Sequence, residues 1–450
     1  MRKVGGLLAI SLVIGACAGS DSPERGSTRL PAYEGRGRAA ILADPKMDPY
    51  HSLLINAHEV IHDPKRTADP CQGTADGALP IWSFGYLMTQ VAGKGGSVAD
   101  KQRTIEFIGQ WLELIRTQQT INGQPVAARP SIYDQVIQPW EQTGWDLTRA
   151  PFRLLAIVNR VDLRRSPLLA GENGGEVRFV FGAVNLKDCS SRPVSPDMSP
   201  PEALEFTVIL EYGVRLGSCM DLWQWAEDWR HLSDLDFTDE TFRQTLAGLT
   251  ARVTSAGQVS GKPNASALDH IRSNEIALGT SWEMRQFSIN PKTGLLRQEP
   301  VTLTPSDVWN SKPKLTEFLL SITSGIHADD YWVPLVFPPS SSEPFLAAVA
   351  SPPVTWSPPN YNDDAARQIF ALNTCSGCHS VETNTNFAHI DREGHLSDFL
   401  KSDLTGFRTG ALNVLLKEKD EGCWAPLPKP TDEKIQQSVF TRQRFGPLVH

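Results

Sequence analysis

The chain has no run of lysines and arginines, no internal repeat, no methionine after Met284 and no apolar stretch of membrane-spanning length. A nucleic-acid partner ordinarily meets a basic face, and a net charge of -8 offers none. A helix that crosses a bilayer needs about 20 apolar residues. The stretch "VGGLLAISLVIGA" after Arg2 and Lys3 supplies about a dozen, too few for a mature spanning helix. The missing methionine leaves the last third of the chain with no thioether to offer a metal.

What is present suits a globular protein: 450 residues, 40% apolar and 21% charged, enough for two folded units and their linkers. The N-terminal apolar stretch reads as an export signal. It runs into "IGAC", which resembles the cleavage box of bacterial lipoproteins, with Gly15 and Ala16 before Cys17. That resemblance implies removal of residues 1–16 and lipid on Cys17. With Ala18 rather than Asp next, it implies an outer-membrane lipoprotein facing the periplasm or the cell surface, held by several acyl chains. Residues 17–44 are rich in Gly, Ser, Arg and Pro without hydrophobic period and read as a flexible tether.

Residues 45–330 form one large unit of strands and helices. "FRLLAIVNRVDL", "GEVRFVFGAVN" and "EFTVILEYGV" are apolar, β-branched and bounded by turn residues, as strands are. "WEMRQFSINPKTGLLRQEPVTLT" reads as a hairpin turning at "NPKTG". Helical spacing of Ile105, Ile108, Trp111, Leu112 and Ile115 predicts one helix, and Asp221 to Trp229 another. Strands so close together, with few crossover helices, predict an α+β fold with a mostly antiparallel sheet. Eight prolines between Tyr331 and Asn360 exclude helix and sheet interior, so residues 331–362 are a semi-rigid linker or a strap laid over a surface. A helix over "NDDAARQIFALN" follows, with Asp363 and Asp364 at its N-terminus, where carboxylates suit the helix dipole.

That helix runs into "NTCSGCHS", which contains Cys375-Ser376-Gly377-Cys378-His379. Two thiols one turn apart can each form a thioether with a haem vinyl group, and the histidine that follows can reach the iron. Residues 363–450, about a fifth of the chain, resemble a c-type cytochrome domain, small and mainly α, with further helical stretches in "ALNVLLKEKD" and "DEKIQQSVFTRQ". The resemblance implies one covalent haem c on Cys375 and Cys378, His379 as proximal ligand, and one-electron transfer with a redox protein partner. Small cytochromes c usually supply methionine as second ligand, and none is available here. His389 or His395 must serve, or the position stays open. His389 is favoured because Phe387, Ala388 and Ile390 would bury it. Two histidine ligands would give a lower potential than His/Met ligation. Setting aside Cys17 and the two haem cysteines leaves Cys71, Cys189, Cys219 and Cys423. Cys189 and Cys219 share a segment and are paired first, which leaves Cys71 with Cys423. The whole chain also resembles a group of exported bacterial proteins that join "WSFGYLM", "PFRLLAIVNRVDLR" and "EVRFVFG" segments to "FALNTCSGCH". That group implies neither a zinc motif nor an activity.

Other chemistries compete. Zinc could be held by Cys375, Cys378, Cys423 and either His389 or His395, and Cys375 could form a disulfide with Cys378. His58-Glu59-Val60-Ile61-His62 matches the zinc-peptidase pattern, in which two histidines one turn apart bind metal and the glutamate activates water. Asp48-Pro49 could begin its helix, but Pro64 stops it and no third ligand follows in the usual place. A non-catalytic cell-surface binding protein is the third class. "NRVDLRR" (159–165) and "DDYW" (329–332) could line a pocket.

Overall fold

A computed structural model describes residues 47–165, 173–191, 201–328, 330–351, 354–385 and 387–417. The signal peptide, Cys17, the tether, Cys423 and "DEKIQQSVFTRQ" lie outside the described residues. Nine strands are present among them: β1 (Leu54–Ile55), β2 (Gln119–Ile121), β3 (Gln124–Val126), β4 (Phe152–Arg160), β5 (Asn173–Val184), β6 (Ala203–Arg215), β7 (Leu268–Glu275), β8 (Glu283–Ile289) and β9 (Leu296–Glu299). Strands β2 and β3 form a small separate hairpin. The other seven make one antiparallel sheet in the order β1-β4-β5-β6-β7-β8-β9. Representative partners are Ile157 with Phe179, Leu210 with Ile271, and Phe287 with Gln298. The expected mixed fold with an antiparallel sheet is therefore present, and the hairpin turning at "NPKTG" is β8–β9.

One face of the sheet carries the main core. Phe152, Phe179, Phe181, Val208, Tyr212 and Phe287 meet the helices Phe84–Ala92, Lys101–Arg116, Cys219–His231 and Glu240–Thr254. Lys101–Arg116 begins where Asp100 accepts a hydrogen bond from the Arg103 amide, and it buries Ile108, Trp111, Leu112 and Ile115. Each such side chain contributes about 1.5–3 kcal/mol by leaving water.

The opposite face alternates apolar and charged residues, the pattern of a wet surface. It is buried all the same. Arg160, Glu176, Arg178, Glu211 and Arg272 are each at most 2% exposed. Arg178 bonds Glu176 at 2.8 Å and reaches Glu211 at 3.3 Å, Arg272 also reaches Glu211 at 3.3 Å, and Arg160 bonds Asp162 at 2.8 Å. Residues 364–417 close over this face through the helices Asp364–Asn373, Cys375–Cys378, Asp398–Asp403 and Thr409–Lys417. Ile390, Leu400, Leu404, Leu412 and Leu415 pack on Leu155, Val158, Val180 and Ile209 of the sheet. The Pro-rich stretch runs extended beside the sheet, bridging Met284 with Ala350 and Pro305 with Leu346.

The expected disulfide pairing is corrected. Cys189 is bonded to Cys71, with Cα atoms 5.1 Å apart, and not to Cys219; Cys71 is thereby not bonded to Cys423. Nearness in sequence misled, because Cys219 opens the helix after β6, just past its cap Ser218, while Cys189 follows β5. Cys219 is itself disulfide-bonded.

Candidate functional site

The CxxCH residues sit where a helix stops and restarts. Asp363 caps Asp364–Asn373 by accepting from the Ala366 amide. Thr374 then ends that helix and begins the next turn, accepting from the Gly377 amide at 3.1 Å and donating to the Ala371 carbonyl at 2.8 Å. Its hydroxyl also accepts from the Trp356 indole at 2.7 Å. The turn Cys375–Cys378 is thus pinned at its start, and the Cys375 amide is fixed to the Thr304 hydroxyl at 2.9 Å. Cys375 packs with Trp282, Met284, Val301 and Ala350 of the sheet side.

Cys375, Cys378, His379 and His389 are all buried. His379 donates from Nδ1 to the Phe387 carbonyl at 2.8 Å, which leaves the lone pair on Nε2. This is the usual way a protein fixes the tautomer of a metal-binding imidazole. The His379 ring stacks on Trp282 with centroids 5.2 Å apart. The His389 ring lies 4.8 Å from it, with Nδ1 bonded to the Ser397 hydroxyl at 2.9 Å and Nε2 3.3 Å from the Cys378 sulfur. Burial lowers His379 to about 4 and drives His389 well down, so both imidazoles are neutral at pH 7 and can offer a lone pair. Burial raises both thiols, and the charge of Cys375 adds to the rise at Cys378. Neither is activated as a thiolate, which disfavours disulfide-exchange chemistry.

His395 lies apart from this cluster, exposed and paired with Asp391 at 3.1 Å. Sequence reasoning missed Trp282, Thr304, Thr374 and Ser397, which orient the motif. Threonine before the first cysteine was the only one of these with a local signal, as a cap before a short helix. Between the sheet and residues 390–408 lies a small cavity walled by Val158, Val180, Ile390 and Leu400, with Arg160, Arg178 and Arg408 at its polar end. It has room for no more than about two water molecules. The donor types suit covalent haem: two thiols one turn apart that are not joined in a disulfide, an adjacent histidine with its lone pair on Nε2, and a second buried imidazole beside it. A macrocycle needs more room than this cavity holds, so seating one requires displacing side chains that now close on the motif.

The HExxH residues are arranged differently from their zinc-peptidase reading. The helix begun at Asp48 ends at Ser52, β1 intervenes, and His58–Ile61 is a separate single turn. His58, Glu59 and His62 are exposed, and the two imidazoles stack at 4.4 Å. Among the described residues neither His58 and His62 nor Cys375 and Cys378 belong to a group of three His, Cys, Asp or Glu ligand atoms all close to one another, although His389 Nε2 lies near the Cys378 sulfur. The one such group of three is Asp391, Glu393 and His395, at the surface. Of the two polar landmarks, Arg160 in "NRVDLRR" lines the small cavity and Asp329 lies outside the described residues. Also among the described residues, no helix is long and apolar enough to cross a membrane. No family model, no curated protein and no solved structure matches this chain.

Proposed function

We propose that the chain carries one covalent c-type haem on Cys375 and Cys378, with His379 as proximal ligand, and transfers single electrons to and from a redox protein partner. The observation that carries this reading is the fixed CxxCH turn, in which the Phe387 carbonyl holds His379 with Nε2 as its lone-pair nitrogen. When bound, such a group supplies reversible one-electron chemistry at iron. The chain's own residues then do three things. Thr374 and Thr304 set the spacing of the two thiols, the Phe387 carbonyl orients His379, and burial excludes water from the whole cluster.

His389 is the second ligand in this reading, supported by its burial beside His379; His395 is exposed and lies apart. His389→Ala is expected to convert a low-spin haem to a high-spin form that binds added imidazole, and a low-spin spectrum unchanged by the substitution would refute the assignment. Because Cys375 is closed in by Trp282, Met284, Val301 and Ala350, haem attachment in this reading precedes docking of the motif on the sheet. We further propose an exported, outer-membrane lipoprotein anchored through Cys17. The Cys71–Cys189 disulfide supports an oxidising compartment.

The deciding experiment is a pyridine haemochrome spectrum of denatured protein, expressed with its signal in a host that matures c-type cytochromes, with metal analysis of the same sample. A c-type band that disappears in Cys375→Ser/Cys378→Ser supports the proposal. Colourless protein containing one zinc per chain would overturn it.

A further inference from the structure

The helix Cys219–His231 opens on a cysteine that is disulfide-bonded, and we propose that its partner is Cys423, so that the bond is a latch holding the C-terminal segment over the charged face of the sheet. Cys71 and Cys189 are bonded to each other, and Cys375 and Cys378 are not joined in a disulfide. Only Cys17 and Cys423 remain. With Cys17 taken as the lipid-bearing residue proposed above, on which this step rests, its sulfur is a thioether and cannot enter a disulfide. Packing favours the same choice independently. The helix Thr409–Lys417 lies on Cys219–His231, where the Trp223 indole donates to the Leu416 carbonyl at 3.2 Å. Trp223 stands four residues after Cys219, on the same side of its helix and one turn away. Cys219 and Leu416 pack against one apolar cluster, with Leu222, Leu412 and Leu415. Cys423 comes six residues after Lys417, a stretch that reaches up to roughly 20 Å and so has ample length to return to Cys219. A latch suits this segment. Much of what it covers is paired charge, including Arg408 with Asp403 at 2.7 Å, and such pairs hold a cover weakly once their dehydration is counted. A bond between residues about 200 apart restricts the freedom that the segment would gain by leaving. Closing the latch takes two electrons and two protons from the thiols of Cys219 and Cys423 and passes them to the disulfide of a thiol–disulfide oxidoreductase, which is reduced in exchange. A dithiol reductant returns them and releases the segment. Cys219 is half-buried and Met220 beside it is 54% exposed, so such a reagent can reach the bond.

The test uses the full chain, expressed with its signal in a host with an oxidising periplasm, alkylated without reduction and digested, with linked peptides identified by mass spectrometry. A Cys219 peptide joined to a Cys423 peptide, and separated from it by reduction, supports the inference, whether or not Cys17 carries lipid. A Cys219–Cys17 link would overturn it together with the lipid anchor. Alkylated Cys219, or a link from Cys219 to any other cysteine, would overturn the inference and leave the anchor standing. The latch itself is read by hydrogen-exchange mass spectrometry of Cys219→Ser/Cys423→Ser, which leaves no odd thiol behind. Amides of residues 398–417 are expected to exchange at least about tenfold faster than in the parent, with β4–β7 unchanged. Cys423→Ser, which keeps the Cys219 side chain in its packing, serves in the same comparison if the double variant does not fold. Exchange equal to the parent's would overturn the latch.

Discussion

Gly377 shows how narrowly single residues define the turn that holds the two thiols. A Cβ added there would lie 2.4 Å from the Ala371 carbonyl oxygen and 2.7 Å from the Thr374 hydroxyl, the two groups whose hydrogen bonds shape the turn. Gly377→Ala must push that backbone aside and is expected to cost about 1–3 kcal/mol by denaturant titration. A stability equal to the parent would mean that the turn yields without strain. Glu275 gives a second residue-level expectation. Burial lifts it to about 7, against the opposing pull of Arg129 at 3.2 Å. Its folded pKa lies above the unfolded value, so the protonated form is the one that folding favours. The stabilisation is complete below about pH 4.5 and is lost as pH rises to about 7. Between pH 5 and 8 the parent should lose stability, by at most about 3 kcal/mol, that Glu275→Gln does not lose. Parallel stability curves for the two proteins would show that Glu275 stays ionised throughout.

At the scale of elements, the helices Asp398–Asp403 and Thr409–Lys417 hold the C-terminal segment on the sheet through Leu400, Leu404, Leu412 and Leu415. Leu404 is fully buried, so Leu404→Ala is expected to cost about 2–5 kcal/mol, a loss that equilibrium unfolding reads directly. A loss below about 1 kcal/mol would mean that this contact is not part of the folded core. Much at this scale was legible in the sequence. Alternating or continuous β-branched runs marked β4, β5 and β6, "NPKTG" marked the β8–β9 turn, and the spacing of Ile108, Trp111 and Ile115 marked a helix, because each depends only on neighbours in the chain. The short helix at His58 was less legible, since "SLLINAHEVI" fits strand and helix equally and the structure divides it between β1 and a single turn.

For the whole molecule, what the sequence hid is long-range. The Cys71–Cys189 bond spans 118 residues, and neighbouring cysteines gave the wrong partner. The sheet's second face was also hidden, because Arg178, Glu211 and Arg272 alternate with apolar residues as they would on a surface in water. At the candidate site, spacing alone singled out the thiols and His379, whereas Trp282 reaches them only through the β7–β8 connection and bore no local mark. Burying paired charges recovers little net stability, because their dehydration offsets their attraction. The cover formed by residues 364–417 is therefore expected to open at lower free energy than β4–β7, and its amide hydrogens to exchange sooner. Hydrogen-exchange mass spectrometry checks this, and equal protection of the two regions would contradict it. The mixed face has a consequence for biosynthesis too. A chain made only as far as β9 presents arginine and glutamate to its surroundings rather than an unbroken apolar surface, so it can wait for its last segment without sticking to its neighbours.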